Sequence, residues 1–131
     1  MIHLRLEPHS AMPAYAQLVR QVRSAVLRGV LVPGDRLPSA REVVSLLAIN
    51  PNTVLKAYTQ LEHEGVAFSR AGQGTFIADT APRSILASTL RRLEPGLLRW
   101  IAKARAAGLS EEAVYALFES AVASGSWMGA A

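Results

Sequence analysis

The fold is decided by the stretch Ser39-Ala40-Arg41-Glu42-Val43-Val44-Ser45-Leu46-Leu47-Ala48-Ile49-Asn50-Pro51-Asn52-Thr53-Val54. Ser39 followed three residues later by Glu42 has the spacing of a capping box, which predicts the start of a short helix. Asn50 is a favourable N-cap and Pro51 suits the first helical position, so a second helix follows almost at once. Because hardly any chain separates the two helices, they must cross steeply, with the N-terminal end of the second facing outward. The apolar residues that carry the first of the two are Val43, Val44, Leu46 and Leu47.

One helix before this pair and one hairpin after it complete the pattern. The helices are predicted over residues 13–28, 39–48 and 50–64, and the strands over residues 66–70 and 75–78. Between the strands lies Ala71-Gly72-Gln73-Gly74, whose glycines permit positive φ and therefore a tight hairpin. The predicted buried faces comprise Tyr15, Leu18, Val19, Val22, Ala25 and Val26 in the first helix and Val54, Ala57, Tyr58 and Leu61 in the third. Residues 2–6 alternate in polarity and are a candidate edge strand.

The remaining chain is predicted to be a helical tail. Residues 79–82 form a linker between a domain over residues 1–78 and a tail over residues 83–131. A stripe of apolar residues at helical spacing keeps its phase across Pro95, which favours one kinked helix over two separate ones. Ser110 caps a last helix, and residues 125–131 are expected to fray apart from Trp127. Two helices of this size bury little by themselves, so their apolar faces need a partner surface, either the first helix or a second copy.

The composition limits the classes of function. Half of the 131 residues are apolar and 18% are charged, with a formal net charge of +4 and no cysteine. These values argue against disorder and exclude disulfides and thiolate chemistry. The sequence predicts no membrane span and no secretory signal, so a cytoplasmic protein is expected. Scattered histidines and unpaired carboxylates predict neither a metal site nor an enzyme, and no cofactor is expected.

Polar and basic residues are concentrated at the start of the third helix and near the tip of the hairpin. Asn50, Asn52, Thr53 and Lys56 lie at the outward end of the third helix, where such side chains suit base edges and phosphates. Arg70 and Gln73 lie at or near the tip of the hairpin, within reach of a minor groove or the DNA backbone. Simpler readings exist, because Asn50 already serves as a cap, Lys56 is an ordinary exposed lysine, and the hairpin residues can be purely structural.

Residues 13–78 resemble the DNA-binding domain of GntR-type transcriptional regulators. The likeness is carried by Val32-Pro33-Gly34-Asp35-Arg36-Leu37-Pro38-Ser39-Ala40-Arg41-Glu42, Asn52-Thr53-Val54, Leu61-Glu62-His63-Glu64-Gly65 and Gly72-Gln73-Gly74-Thr75-Phe76, at matching spacing. The run Ile49-Asn50-Pro51-Asn52-Thr53-Val54 and the short helical tail are similar to the YtrA-type subfamily. The resemblance implies a mainly α fold with a small β-hairpin wing: a winged helix-turn-helix followed by a C-terminal helical dimerisation hairpin.

The resemblance also implies roles for individual residues. Arg41 matches a phosphate- or guanine-contacting arginine, and the start of the third helix matches contact positions at Asn50, Asn52 and Thr53. The wing tip corresponds to Gly72 and Gln73 with the glycine that follows. Two departures change the contacts that the resemblance implies. Pro51 stands where many members have a contacting arginine, so that contact is absent. Gln73 replaces a common lysine or arginine, which should weaken the attraction of the wing to phosphate. Pro95 is also unusual within such a tail.

The function expected from these features is sequence-specific regulation of transcription. The expected protein is a homodimeric repressor that binds double-stranded operator DNA as an inverted repeat. The resemblance adds an unknown small-molecule effector and control of transporter genes. An enzyme is the first alternative, since some relatives carry a large pyridoxal-phosphate domain, but only 49 residues follow the linker. A winged-helix protein-interaction module is the second, favoured if Leu55, Phe68 and Trp127 form an exposed apolar patch.

Overall fold

The computed structural model describes residues 2–125, which form five helices and one two-stranded hairpin. In chain order these elements are α1 (Ala14–Leu27), α2 (Ala40–Leu47), α3 (Pro51–His63), β1 (Ala67–Arg70), β2 (Gly74–Ile77), α4 (Ala87–Ala106) and α5 (Glu111–Ser124). The chain divides into two compact units, Met1–Ile85 and Leu86–Ala131. The prediction of a mainly helical fold with a hairpin wing is confirmed.

The helix-turn-helix forms as its capping residues predict. Ser39 caps α2, where its Oγ accepts a hydrogen bond from the Glu42 backbone N–H at 3.1 Å. Asn50 caps α3, where its Oδ1 accepts from the Asn52 N–H at 2.8 Å, and Pro51 is the first helical residue. Ala48 ends α2 in the left-handed conformation with φ of 53°. The link between the helices therefore consists only of residues 48–50.

The core of the first unit lies where α1, α2, α3 and the wing meet. Its most deeply buried side chains include Leu18 and Val22 of α1, Val43 of α2, Val54 and Leu61 of α3, Ile77 of β2, and Leu37 in the segment before α2. Of the predicted buried faces, Tyr15 is only half-buried, while the other residues are buried. The prediction for Leu46 is wrong, since 77% of its surface is exposed. At about 100° per residue, Val43, Val44 and Leu47 share one arc of α2, and Leu46 lies outside it.

The wing contains a third extended segment that joins it to the helix-turn-helix. Strands β1 and β2 are antiparallel, with Phe68 opposite Phe76 and Arg70 opposite Gly74. Residues 34–37 pair with the other edge of β2 through an isolated bridge between Arg36 and Phe76. Three backbone hydrogen bonds of 2.8 Å hold this edge. Because α2 begins soon after this segment, the pairing ties the wing to the start of α2.

The N-terminal segment is not a strand, so the edge strand predicted over residues 2–6 is wrong. Its alternation is nevertheless real, because Ile2 is buried and Leu4 and Leu6 pack against the core. Its backbone pairs with two glutamine side chains of α1 instead of with a neighbouring strand. Gln21 bonds the N–H and C=O of Arg5 at 2.9 and 2.6 Å, and Gln17 does the same for Glu7 at 2.8 and 3.2 Å. The four residues from Gln17 to Gln21 rise about 6 Å along the helix, and the two extended residues from Arg5 to Glu7 span about 6.6 Å, so the spacings match.

The boundary between the units lies later than the predicted linker over residues 79–82. Those residues belong to the first unit, where the Ala78 N–H donates to the Val66 carbonyl and the Ile85 N–H donates to the Leu27 carbonyl. In the second unit α4 runs without interruption through Pro95. Ser110 caps α5, with its Oγ accepting from the Ala113 N–H at 3.1 Å. The fraying predicted over residues 125–131 and the exception of Trp127 concern residues that lie, except for Gly125, outside the described part of the chain.

Candidate nucleic-acid interface

The outward end of α3 presents polar side chains to solvent. Asn52 is exposed in the first turn, and Thr53 beside it is half-buried. The carboxamide oxygen of Asn50 is engaged by the Asn52 N–H, so its capping role is established independently of any ligand. A carboxamide and a hydroxyl at this position can read adenine edges and thymine methyl groups. At this end of α3 the side chains of Asn52 and Thr53 can contact bases, whereas the side chain of Asn50 also caps the helix.

Lys56 is held by an aromatic ring from another helix. Its Nζ lies 4.0 Å from the centroid of the Tyr15 ring at the start of α1. A lysine ammonium over an aromatic face is attracted by about 0.5–1 kcal/mol at an exposed site. The contact limits the many rotamers of Lys56, so less conformational entropy remains to be lost when it meets an anion. Tyr15 is thus a residue of this surface that sequence reasoning placed only in the core.

Arg41 is exposed in the first turn of α2. Among the described residues the structure has one ion pair, between Arg23 and Glu64 at 2.7 Å, so Arg41 has no carboxylate within 4.0 Å there. An exposed guanidinium without a protein carboxylate keeps its five N–H donors for an incoming anion. Its charge is therefore available to a phosphate or a guanine.

The tip of the wing is a tight turn. The Gln73 N–H donates to the Arg70 carbonyl at 2.9 Å, and Gly72, with φ of 73°, supplies the positive φ that this turn requires. Gly72 and Gln73 are both exposed. Arg70 leans away from the turn, with its Cζ 5.7 and 5.8 Å from the ring centroids of Phe68 and Phe76. The predicted tip residues therefore separate into an exposed turn and an arginine that lies over aromatic rings.

One buried hydroxyl sets the position of α3 against the start of α2. Tyr58 donates a hydrogen bond of 2.6 Å to the Pro38 carbonyl, directly before the Ser39 cap. Burial, and to a lesser degree the charge of Glu42, raises the pKa of the Tyr58 phenol well above its usual value. The phenol therefore stays protonated and keeps donating throughout the neutral range. Tyr58 is a structural support of the surface and not a contact residue.

Two residues near this surface escaped sequence reasoning. Tyr15 and Lys56 lie 41 positions apart, and no local pattern connects them before α1 packs on α3. Arg36 was assigned to no helix or strand and to no contact, yet its segment pairs with the wing. Asp35 and Arg36 are both charged, so residues 35–37 show no alternation of polarity that could have indicated an extended segment there.

The fold is a winged helix-turn-helix, with three packed helices, a short link between the second and third, and a β-hairpin wing. Its basic and amide side chains lie on the elements that such proteins use to bind DNA. Residues 14–77 match the family described as bacterial regulatory proteins, gntR family. The chain belongs to this family. It is a DNA-binding transcriptional regulator and not an enzyme, as the sequence predicted.

Individual relatives agree with this assignment. The chain is 35% identical, over 86% of each sequence, to the HTH-type transcriptional repressor YtrA of Bacillus subtilis. It is similar to the solved structure of YtrA from Sulfolobus acidocaldarius, a GntR-family transcription factor, with a TM-score of 0.53 and 30% identity over 76% of this chain and 97% of that one. The AraR DNA-binding domain in complex with operator ORE1 gives a TM-score of 0.50 and 27% identity over 60% of this chain and 95% of that one. The predicted GntR and YtrA-type resemblance is confirmed.

The described residues hold neither a membrane-spanning helix nor a cluster of metal ligands. None of the helices within residues 2–125 has the length and apolar character that crossing a membrane requires. In the same part of the chain, no three histidine, aspartate or glutamate side chains lie close enough together to hold a metal ion.

Proposed function

We propose that the start of α3 enters the major groove of an operator and reads its bases. In this proposal Asn52 and Thr53 contact base edges, Asn50 adds a contact beside its capping role, and Lys56 binds a phosphate or a guanine. The single observation that carries the proposal is the polar start of α3, where Asn50 and Asn52 are exposed and Thr53 is half-buried. Free side chains of this kind at a recognition helix start are the usual means of direct readout.

In the same proposal two further elements fix α3 on the duplex. Arg41 anchors the start of α2 to a phosphate or a guanine, supported by its exposure and its lack of a protein carboxylate among the described residues. The wing, through Arg70, Gly72 and Gln73, contacts the adjacent backbone or minor groove. Contacts of this class set register and affinity but carry little sequence information.

The proposed active form is a homodimer joined through the helical tail over residues 83–131. Its support is the number of large apolar side chains that α4 and α5 leave exposed in one copy. These are Leu93, Leu97, Leu98, Trp100, Tyr115, Leu117, Phe118 and Val122, with Leu86 directly before α4. Large exposed apolar surfaces mark association sites. A two-fold dimer would carry two α3 helices about 34 Å apart and would therefore bind an inverted repeat.

The wider role follows from the resemblance and from the relative named as a repressor. We propose a cytoplasmic repressor that controls transporter genes and responds to a small-molecule effector. This part of the proposal is tested by transcription from the chain's own promoter region with and without the protein. Lower transcription in its presence supports repression, and higher transcription contradicts it.

The central experiment is selection of bound duplexes from a random pool at near-physiological salt. Enrichment of an inverted repeat with half-sites about one helical turn apart supports both base reading and a two-fold dimer. Arg41→Ala should weaken binding of the selected site without lowering thermal stability. Lys56→Ala should weaken binding as well, with a loss of stability no larger than about 0.5–1 kcal/mol, the strength of its contact with Tyr15. Binding without any enriched motif contradicts the sequence-reading role assigned to Asn52 and Thr53.

A protein-interaction module without specific DNA binding is the second candidate. The exposure of Leu55, at 53%, and of Phe68, at 37%, favours it, while Trp127 lies outside the described residues. The two candidates differ in salt dependence, because cations compete for the phosphates and a rise in salt therefore weakens nucleic-acid binding steeply. An affinity for duplex DNA that falls with salt supports the operator-binding candidate, and no binding even at low salt supports the interaction module.

A further inference from the structure

The outer face of the wing carries two arginines beside a pair of aromatic rings. Opposite residues on neighbouring strands share a face, so Arg36, Phe76 and Phe68 form one row across the three extended segments. Residues two apart on a strand also share a face, which adds Gly74 and Arg70 as a second row nearer the tip. We call these five residues the outer wing face. The opposite face is turned inward, where Ala67 and Ile77 are buried and Ser69 donates to Glu62 of α3.

The guanidinium of Arg70 lies over this face. The Phe68 and Phe76 rings are stacked, with centroids 5.7 Å apart and an interplanar angle of 26°, and the Arg70 guanidinium lies against both. A guanidinium near aromatic faces is attracted by the rings, and its N–H donors remain available for another partner. A guanidinium already ordered in this way loses less entropy on binding a ligand than a free one.

Arg36 crosses the strand next to Arg70, and a glycine makes its path possible. A Cβ built on Gly74 would lie 2.8 Å from Nε of Arg36, closer than such atoms approach. Gly74 also has φ of 122°, a conformation that other residues rarely adopt. The absence of a side chain at Gly74 therefore lets Arg36 lie along the sheet toward the wing tip, on the same face as Arg70.

Neither positive charge is neutralised within residues 2–125. No carboxylate there lies within 4.0 Å of Arg36 or Arg70. The neighbouring acids have other partners, since Asp35 accepts from the Val32 N–H and Glu62 accepts from Ser69. Two ordered guanidinium groups on one exposed face match an anion with several acceptor oxygens, and a phosphodiester has that chemistry.

We infer that the outer wing face binds a backbone phosphate of the DNA duplex, at a position outside the bases that α3 reads. The inference rests on the proposed function and assigns a new contact residue, Arg36, together with a positioning role for Phe68 and Phe76. The minor groove of B-DNA is about 6 Å wide, so it admits the turn at the tip but not the face of a sheet. A face with two arginines therefore meets the sugar–phosphate backbone and not base edges.

The test measures affinity for the selected operator as a function of salt. Arg36→Gln should lower the slope of log affinity against log salt by about 0.9 for each protomer bound. One released counterion at 0.15 M salt corresponds to a loss of about fivefold in affinity per protomer. Arg36→Lys keeps the charge and should keep the slope. Arg70→Gln tests the same face without altering the bridged segment, and it should lower the slope by a similar amount.

A matched control distinguishes the effect of a charge on the outer wing face from the effect of the protein's net charge. Arg28 is exposed just beyond the end of α1, and Arg28→Gln removes the same charge as Arg36→Gln. The control should leave affinity and salt slope unchanged. Ethylation of single operator phosphates should identify a position that weakens wild-type binding but not the binding of Arg36→Gln. An unchanged slope for Arg36→Gln overturns the inference, whatever the result for Arg70→Gln. Failure of the wild-type protein to bind any duplex overturns the proposed function instead.

Discussion

Replacement of Tyr58 by phenylalanine removes the hydroxyl that joins α3 to the start of α2. That hydroxyl donates a 2.6 Å bond to the Pro38 carbonyl, and both residues are buried, with Tyr58 only 6% exposed. The ring remains, so no cavity larger than one oxygen is created. The cost is the loss of one hydrogen bond and a buried carbonyl without its partner, which amounts to about 1–3 kcal/mol of unfolding free energy.

This cost converts into a measurable shift in melting temperature. For a domain of the size of the first unit, 1 kcal/mol corresponds to about 4–8 °C, so Tyr58→Phe should lower Tm by roughly 5–15 °C. The assay is thermal unfolding followed by circular dichroism at pH 7. Tyr15→Phe is the matched control, because within residues 2–125 the Tyr15 hydroxyl makes no hydrogen bond and its ring is retained. A Tyr58→Phe protein that melts within 2 °C of wild type would refute the structural role assigned to this bond.

Three further predictions follow from the same surfaces. Burial raises the pKa of the Tyr58 phenol, so the unfolded chain loses the phenolic proton near the usual pKa of about 10 while the folded chain keeps it, and the free energy of unfolding should fall from about pH 10 upward. Denaturant unfolding at pH 9–11 should show a smaller fall in that free energy for Tyr58→Phe than for the wild type. Equal falls would contradict the assignment. Tyr15→Leu should weaken operator binding in the wild-type protein but not in the Lys56→Gln background, because the Tyr15 ring acts by holding the Lys56 ammonium. Equal losses of affinity in both backgrounds of this double-mutant cycle would exclude that coupling. Leu97→Glu, within the exposed apolar surface of α4, should shift the proposed dimer toward monomer in light scattering, and an undiminished dimer would exclude Leu97 from the proposed interface.

Local signals in the sequence were enough for the helix-turn-helix. The Ser39 and Asn50 caps and the proline after Asn50 act within one helical turn, so their geometry does not depend on the rest of the chain. The glycines of the hairpin are local signals of the same kind. Apolar spacing located most of the core for the same reason, although Leu46 showed that a short helix contains too few turns to define its buried face.

Contacts between distant segments could not be read in this way. The backbone of the N-terminal segment found its partners in two glutamine side chains of α1, whereas alternation alone predicted another strand. The boundary between the two units lies after the linker that the sequence predicted, because residues that follow the wing form hydrogen bonds with the first unit, for example between Ile85 and Leu27. Both outcomes depend on which surfaces meet after folding, and local spacing carries no record of that.

The candidate site divides along the same line. The sequence by itself determined which elements carry the candidate contact residues, because caps, turns and helical spacing are short-range properties of the chain. Only the tertiary structure decided how Lys56 and the two wing arginines are held, because the Tyr15 ring, the Phe68–Phe76 pair and the space left by Gly74 reach them across packed elements. Side-chain order at a binding surface is a product of long-range packing, and it exists only once the helices and the wing have come together.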